Sequence, residues 1–309
     1  MFRLSYEKKD LGQSYALVVV MMIVSSILLT LIFGTEASGW RFWLMQGLFT
    51  VSIGASAFVY AAITNTKVFV ATKLNVVPRY AHVLWGCLAA LFLIACMTPI
   101  NNVLLDGIEA MGLNRPSVDF EDSVIGLLFF ACLLPAICEE VIFRGTIAQS
   151  LADSRNKWAV LAISGALFSI FHANPAQTIH QFVLGAWLTL LVLRSGSLWT
   201  SVIVHLFNNV LVVVLSYTPI GTDEFWSFTS NTGAVVAIMC VGLVGFVASV
   251  FGYIKTTKST WVVDDNASYD TRDEQSVTAR KSAIIRSYVM LAAAILTCVV
   301  LWFSSLFSA

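Results

Sequence analysis

Apolar residues occur along this chain in long stretches that alternate with short polar connections. A stretch of about 20 apolar residues is the length that an α-helix needs to cross the hydrocarbon core of a bilayer. Nine stretches are candidate spans, at residues 15–33, 43–63, 83–105, 124–149, 158–173, 177–193, 198–217, 234–254 and 284–307. The fifth and sixth are short. The pattern therefore predicts an all-α fold, a polytopic transmembrane helical bundle of about eight or nine spans.

The composition of the 309 residues supports this prediction. The chain is 58% hydrophobic and 12% charged, whereas an average soluble domain has about a quarter of its residues charged. The formal net charge is zero, so charge gives no reason to expect a nucleic-acid partner, and none is predicted. All six cysteines lie in apolar stretches without a CxxC pair, which indicates small core residues rather than disulfides or a zinc knuckle.

The connections between successive predicted spans lie alternately on the two sides of the membrane, and basic residues are concentrated on one of these two sets. Fifteen of the 18 Lys and Arg fall there, two (Arg41 and Arg115) fall on the opposite set, and Arg144 lies within a span. Because cytoplasmic loops carry the excess of Lys and Arg, we expect a multi-pass integral protein of the plasma membrane with its N-terminus in the cytoplasm. The first apolar stretch is long enough to remain as a span, so we expect no cleavable signal peptide.

The chain divides into three predicted parts. Residues 1–119 hold the first three spans, residues 120–217 hold the four spans with polar residues, and residues 218–309 hold the last two. The one long polar connection, at residues 258–281, is predicted to be a mobile cytoplasmic loop before the last span.

Charged residues interrupt the fourth span at "CEEVIFRG", residues 138–145. An ionisable side chain in lipid costs several kcal/mol unless it faces a polar interior, so each one is a candidate functional residue. Glu140 and Arg144 are four residues apart on one helix face and can pair. Glu139 points about 100° away and stays free for chemistry. Pro135, four residues earlier, frees a backbone carbonyl and can bend the helix. The alternative is a buried pair that only fixes packing.

Two further spans carry histidines. His172 follows Phe168 at a spacing of four in "FSIFH", and His205 precedes Asn209 at the same spacing in "HLFNN". His82 and His180 lie nearer to span ends, and we assign them ordinary packing roles.

These residue types suit hydrolysis of an acyl bond. A free carboxylate beside a neutral imidazole can hold a water molecule and take its proton, and a second histidine with an amide can donate hydrogen bonds to an oxyanion. Alternatively, Glu140, His172 and His205 could bind Zn²⁺ with one open position and activate the water through the metal. The chain has no HExxH to favour the metal and no GxSxG to favour a serine nucleophile.

The three motifs resemble, in order, those of the CPBP family, the CAAX proteases and bacteriocin-processing enzymes also called the Abi family. The family pattern is Glu-Glu-x-x-x-Arg, then Phe-x-x-x-His, then His-x-x-x-Asn or Asp, and the resemblance covers roughly residues 120–217. It implies that Glu139, helped by His205, activates a water molecule. It also implies that Arg144 holds Glu140 in place.

The same resemblance assigns the oxyanion site to His172 and Asn209. It implies an intramembrane endopeptidase that cleaves a short peptide or the tail of a membrane-associated protein near the cytoplasmic surface; the family's eukaryotic substrate is a prenylated CAAX tail. A non-catalytic membrane scaffold or bacteriocin-immunity protein that binds a partner in the same cavity is the alternative. A transporter is a third hypothesis, which the lack of a second copy of the motifs disfavours.

Overall fold

The computed structural model describes residues 2–113, 123–218, 228–261 and 274–307, with the backbone alone for 228–231 and 274–277. Nine long helices follow one another in these ranges. They are α1 (Asp10–Phe33), α2 (Trp40–Ile63), α3 (Tyr80–Ala110), α4 (Val124–Leu151), α5 (Lys157–Phe171), α6 (Thr178–Ser195), α7 (Leu198–Ser216), α8 (Phe228–Thr256) and α9 (Glu274–Ser304). One helical turn at Val68–Ala71 and a 3-10 turn at Pro175–Gln177 complete the described helical structure.

Eight of these helices are long and apolar enough to cross a membrane. The exception is α5, whose 15 residues extend about 22 Å, less than the roughly 30 Å of a hydrocarbon core. The protein is thus a multi-pass integral membrane protein, and the predicted all-α bundle of about eight or nine spans is confirmed. The orientation across the membrane stays a prediction.

Helix α4 is not a regular α-helix along its whole length. Wider π-helical stretches at Leu127–Leu133 and Phe143–Ile147 alternate with α-helical Val124–Gly126, Leu134–Ile142 and Ala148–Leu151. The first π stretch ends just before Pro135, which cannot donate a backbone hydrogen bond. Sequence predicted a distortion here, and the structure resolves it as widened turns, a feature that often occurs at functional sites.

Helix α4 lies at the centre of the bundle, where α1, α2, α5, α6 and α7 all contact it. One hydrophobic cluster joins α4 to α1, α2, α5, α6, α7 and α9, and includes Leu11, Val141 and Cys298. A second joins α3, α6, α7 and α8 around Leu93, Leu188 and Tyr253. Since the first cluster takes residues from all three parts predicted for the chain, those parts share one core. Half of the predicted polar loop, residues 262–273, lies outside the described residues, and its last part, residues 274–281, is helical and belongs to α9.

Helices α5 and α6 approach each other closely at a pair of glycines. A Cβ on Gly165 would lie 2.6 Å from the carbonyl oxygen of Phe182, and one on Gly185 would lie 3.0 Å from the Cα of Gly165. Any larger residue would force the helices apart. Their contact places Phe168 and the Gly185 carbonyl against α4, next to the charged residues.

Candidate active site

Glu140 and Arg144 form the buried ion pair that the sequence predicted. Arg144 Nη1 donates to Glu140 Oε1 over 2.7 Å, and both side chains are 0% exposed. His205 Nδ1 lies 2.9 Å from the same oxygen. A carboxylate oxygen only accepts, so His205 carries a proton on Nδ1. Glu140 Oε1 therefore accepts two hydrogen bonds and links α4 to α7.

Arg144 has further partners on two other helices. Its guanidinium carbon lies 3.9 Å from the centre of the Phe168 ring, a distance typical of a cation–π contact. Its Nη2 donates to the carbonyl of Gly185 over 3.4 Å. The cation is thus held between a carboxylate, an aromatic face and a backbone carbonyl, all away from lipid.

Glu139 faces a different histidine. His172 Nε2 lies 3.8 Å from Glu139 Oε2, and the two side chains are 16% and 15% exposed. His172 Nδ1 lies 2.8 Å from the Phe168 carbonyl oxygen, which only accepts, so Nδ1 carries the proton and Nε2 of the neutral ring has a free lone pair. Glu139 Oε2 is buried without a hydrogen-bond partner among the described residues. Two acceptors therefore face each other with no proton between them.

His205, which the resemblance assigns as the helper of Glu139, hydrogen-bonds Glu140 through Nδ1 instead, because successive residues of α4 face different helices. Cys138 packs against Gly54 of α2, where a Cβ on the glycine would lie 2.8 Å from its Cβ. Glu139 faces His172 at the end of α5, and Glu140 faces His205 of α7. The roughly 100° step between neighbours on a helix separates the three directions.

Counted from the predicted span starts at residues 158 and 198, His172 lies twice as many residues into its span as His205 does, so the two histidines are expected at different depths. Helix α5 begins at Lys157, one residue before the predicted start, so a span start placed too early does not account for the difference. His172 directly follows α5 and still reaches Glu139, so the helices that meet here do not begin at one level.

Asn209 lies on α7, one turn after His205. Its Oδ1 accepts a hydrogen bond of 3.3 Å from Asn208 Nδ2. The structure thus joins Glu139 to His172, and Glu140 to Arg144 and His205. Asn209 shares the face of α7 that carries His205, and its one side-chain hydrogen bond among the described residues goes to Asn208.

The predicted zinc ligands Glu140, His172 and His205 do not present free donors at one point. Glu140 Oε1 already accepts from Arg144 and His205, while His172 faces Glu139 instead. In the parts of the chain that the structure describes, no three His, Cys, Asp or Glu side chains are grouped to hold a metal ion. The residues as arranged do not fit a zinc site, and we derive no step through a metal.

Sequence reasoning underestimated one residue of the site, Phe168. Phe168 covers Arg144 and makes edge contacts with both His172 and His205, with ring centroids 4.7 and 5.9 Å apart. His180 Nε2 and Asn208 Oδ1 are both buried without a hydrogen-bond partner among the described residues, and the packing role predicted for His180 stays a prediction. Only the spacing of four between Phe168 and His172 pointed to any of this in the sequence.

His82, by contrast, has the packing role that was predicted. Its Nδ1 hydrogen-bonds the Tyr253 hydroxyl over 3.0 Å, which joins α3 to α8 away from the carboxylates.

Comparisons with known proteins agree with the motifs. Residues 121–211 match the family model described as Type II CAAX prenyl endopeptidase Rce1-like. A Bacillus subtilis (strain 168) protein named "Putative membrane peptidase YdiL" is 26% identical over 103 residues, which cover 33% of this chain and 42% of that relative. The chain thus matches less than half the length of this relative. No solved structure matches the chain significantly. The resemblance to the CAAX-protease family is confirmed for the part of the chain that carries the site.

Proposed function

We propose that this membrane protein, whose residues 121–211 match the CAAX-protease family, is an intramembrane endopeptidase in which Glu139 and His172 activate a water molecule. One observation carries the proposal: the buried, unpartnered Oε2 of Glu139 lies 3.8 Å from Nε2 of His172. Both atoms are acceptors, and a water molecule beside them can donate one O–H to each. A carboxylate at this position can take a proton from that water.

Hydrolysis would then follow in two steps. The water oxygen attacks the scissile carbonyl carbon, a C–O bond forms, and Glu139 takes one proton from the water. The carbonyl oxygen becomes an oxyanion. Glu139 next gives its proton to the amide nitrogen, the C–N bond breaks, and the amine leaves. His172 acts by orienting the water, since the Phe168 carbonyl fixes its ring and its tautomer.

The oxyanion would be stabilised from α7. His205 and Asn209 are four residues apart and share one face of this helix. Glu140 Oε1 accepts a hydrogen bond from His205 Nδ1–H, and a His205 ring that also carries a proton on Nε2 can donate from there to the oxyanion. Arg144 neutralises the Glu140 carboxylate, so that the buried site keeps a balanced charge. Donors fixed before the reaction contribute strongly because they need no reorganisation.

We propose that the substrate is the tail of a membrane-associated protein or a lipid-modified peptide. A cavity of about 450 Å³ lies between α5, α6 and α9, lined by mainly apolar side chains such as Leu167, Ile179 and Ile295. Thr178, two residues before His180, also lines it. A hydrocarbon chain in this cavity would bring an attached peptide next to His172.

Peptide cleavage by the purified protein tests the proposal. We expect wild type to cleave lipid-modified reporter peptides, Glu139→Gln to lose cleavage about 10²–10⁴-fold, and Glu36→Gln, an exposed carboxylate outside the site, to keep it. Ile179→Trp, which fills the cavity, should weaken the preference for the lipid-modified peptide. Peptide binding with no cleavage by wild type across both peptide classes would favour the scaffold alternative.

The role of zinc is tested on the same preparation. Water activation by Glu139 and His172 alone predicts that cleavage persists after dialysis against a chelator. Loss of cleavage on chelation that Zn²⁺ restores would contradict this part of the proposal and require the histidines to rearrange around a metal.

A further inference from the structure

The C-terminal part of α4 is enclosed on all sides by the rest of the bundle. All nine residues from Glu140 to Ala148 are buried. Nine residues make about two and a half helical turns, so no face of the helix is left open there. From Leu127 to Glu139, by contrast, only four of 13 residues are buried, and the Glu139 side chain is 15% exposed. The proposed water site therefore lies at the boundary of the enclosed part.

Helices α6 and α7 change in the same way along their length. Eight of the ten residues of Leu184–Leu193 in α6 are buried, whereas none of residues 176–183 is buried. In α7 the first eight residues are buried except Trp199 and Ile203, which share one face. No described residue of α7 from Asn209 onward is buried. Because α7 begins where α6 ends, the enclosed parts of these two helices lie at one end of the bundle.

This end of the bundle is the one at which the chain begins. Arg3 N–H donates to the Asn65 carbonyl over 2.9 Å, so the N-terminal segment meets the connection between α2 and α3. The same connection reaches the start of α7, where Leu198 N–H donates to the Lys73 carbonyl over 3.2 Å. We call this the near end of the bundle and the opposite one the far end.

The connection between α2 and α3 is the first of two segments that close the near end. Its Thr72 is 0% exposed, and a Cβ on Gly145 would lie 2.8 Å from the Thr72 Cβ, so the segment packs directly on α4 beside Arg144. Ser197 Oγ donates to the Val76 carbonyl over 2.6 Å, which ties the segment to the connection between α6 and α7. The enclosed part of α4 therefore also lies at the near end.

The second closing segment directly follows α8. Thr260 N–H donates to the carbonyl of Arg194, near the end of α6, over 2.8 Å. Trp261 Nε1 donates to the carbonyl of Ala152, directly after α4, over 2.9 Å. The segment thus crosses the near end from α6 to α4. Both closing segments lie outside the part of the chain that matches the family model, so the match by itself does not include this closure.

The accessible groups of the site lie toward the far end. The side chains of Glu139 and His172 are 15% and 16% exposed, and His172 follows α5 at the end that points away from the near end. The apolar cavity proposed for the lipid chain lies in the same half, since Thr178 at the start of α6 lines it. Trp302 Nε1, close to the end of α9, donates to Thr178 Oγ1 over 2.8 Å.

We propose that substrates reach Glu139 and His172 from the far end, so that the protein cleaves peptide segments presented on the membrane face opposite its N-terminus. The cleavage rests on the proposed function, whereas the direction rests on the closed near end. Basic residues predict a cytoplasmic N-terminus, so the substrate face is the non-cytoplasmic one. The family resemblance implied cleavage near the cytoplasmic surface, and the closed near end points to the other face.

Cysteine labelling tests the direction without any cleavage. A variant with its six native cysteines replaced receives one new cysteine, Glu139→Cys, and is held in sealed membrane vesicles. A charged thiol reagent that cannot cross the membrane is added to one face at a time. Lys8→Cys and Glu36→Cys are the matched controls, because both residues are exposed and lie at the near and the far end, respectively.

We expect Glu139→Cys to react from the face that labels Glu36→Cys. Reaction from the face that labels Lys8→Cys, or from neither face, would overturn the proposal.

A second experiment uses the wild-type chain and needs no substitution. Sealed vesicles are prepared in both orientations, which protease access to an N-terminal tag distinguishes, and a charged reporter peptide that cannot cross the membrane is added outside. We expect cleavage by vesicles whose N-terminus is inside. Vesicles whose N-terminus is outside should cleave only after detergent opens them, and cleavage by these vesicles while intact would overturn the proposal.

The two experiments separate the direction of access from the proposed function. If neither vesicle orientation nor the detergent-solubilised protein cleaves any peptide, the proposed function fails, and the claim about its substrates fails with it. Cysteine labelling then still decides from which face Glu139 is reached. Cleavage in detergent together with labelling from the near end would leave the peptidase intact and overturn the direction alone.

Discussion

Glu139 and Glu140 are neighbours in sequence and lie in opposite environments. Glu140 is fully buried, and one of its oxygens accepts hydrogen bonds from Arg144 and His205. Glu139 is partly exposed, and its Oε2 has no hydrogen-bond partner among the described residues. Glu140 Oε2 likewise has no partner among the described residues, so the difference lies in the neighbours: Arg144 and His205 hold Glu140 through Oε1, whereas Glu139 lies beside Nε2 of His172.

The difference shows how one helix turn can supply both structure and chemistry. Buried charges are tolerated in an apolar interior only when they are paired and hydrogen-bonded, and Arg144 meets this need for Glu140. A carboxylate that must accept a proton needs the reverse, a free lone pair within reach of water. Because adjacent residues point about 100° apart, the two environments can coexist at consecutive positions.

The largest effect should be the loss of cleavage when Glu139 or its neighbour His172 is replaced. We expect Glu139→Ala and His172→Ala each to lower kcat by about 10²–10⁴-fold, with little change in Tm. The double variant should be hardly slower than the slower single variant, since residues that act as a unit are not additive. Cleavage rates from the three variants and wild type check this. Independent, multiplying losses would show that the two residues do not share one water molecule.

Substitution of Glu140 should mainly lower the stability of the folded protein. Glu140→Ala leaves Arg144 buried and without its carboxylate, which costs roughly 3–5 kcal/mol. Glu139→Ala leaves no unpaired charge and should cost much less. Yield and thermal unfolding in detergent compare the two variants directly. Similar losses of folded protein in both would mean that Glu139 is also part of the structural network.

Replacing the whole ion pair should reverse most of that loss. In the double variant Glu140→Leu, Arg144→Met no buried charge remains, and apolar residues of similar size often match or exceed the stability of a buried pair. We expect its Tm to lie above that of Glu140→Ala, while cleavage stays low because His205 has lost its carboxylate. A Tm no better than that of Glu140→Ala would indicate that His205 and Gly185 also need these polar partners.

The sequence predicted more of the fold than of the site. The spans could be located because each one is a long apolar stretch that is visible in the sequence by itself. The Glu140–Arg144 pair could be predicted because its two residues are four apart on one helix. The pairing of each histidine depends instead on how α5 and α7 pack around α4, through contacts such as Gly165 with Gly185. The spacing of residues within one helix does not show how a neighbouring helix is rotated against it.

His180 and His82 illustrate the same limit, since His180 Nε2 is buried without a partner among the described residues, whereas His82 bonds Tyr253. Nothing in the spacing of His180 separated it from His82, since each is a lone histidine near the end of a span. Their different surroundings appear only once α6 packs against α7 and α3 packs against α8. The π-helical turns of α4 were likewise visible in sequence only as Pro135, which indicates a distortion without its type.

The smallest effect concerns the aromatic cover of Arg144. Phe168→Leu keeps an apolar residue but removes the ring that lies 3.9 Å from the guanidinium. A desolvated cation–π contact contributes up to about 2 kcal/mol, so a loss of about 1–3 kcal/mol is expected with the change in shape.

Phe171→Leu is the matched control, because its ring also packs on Phe143, with centroids 5.1 Å apart, and lacks a cation–π contact with Arg144 among the described residues. We expect Phe168→Leu to lower Tm more than Phe171→Leu does, and the gap to close when Arg144 and Glu140 are replaced together by Met and Leu. If the difference in Tm between the two variants persists in that background, Phe168 stabilises the site through packing on His172 and His205. The Glu140–Arg144 pair would then be stabilised by its hydrogen bonds and not by the Phe168 ring.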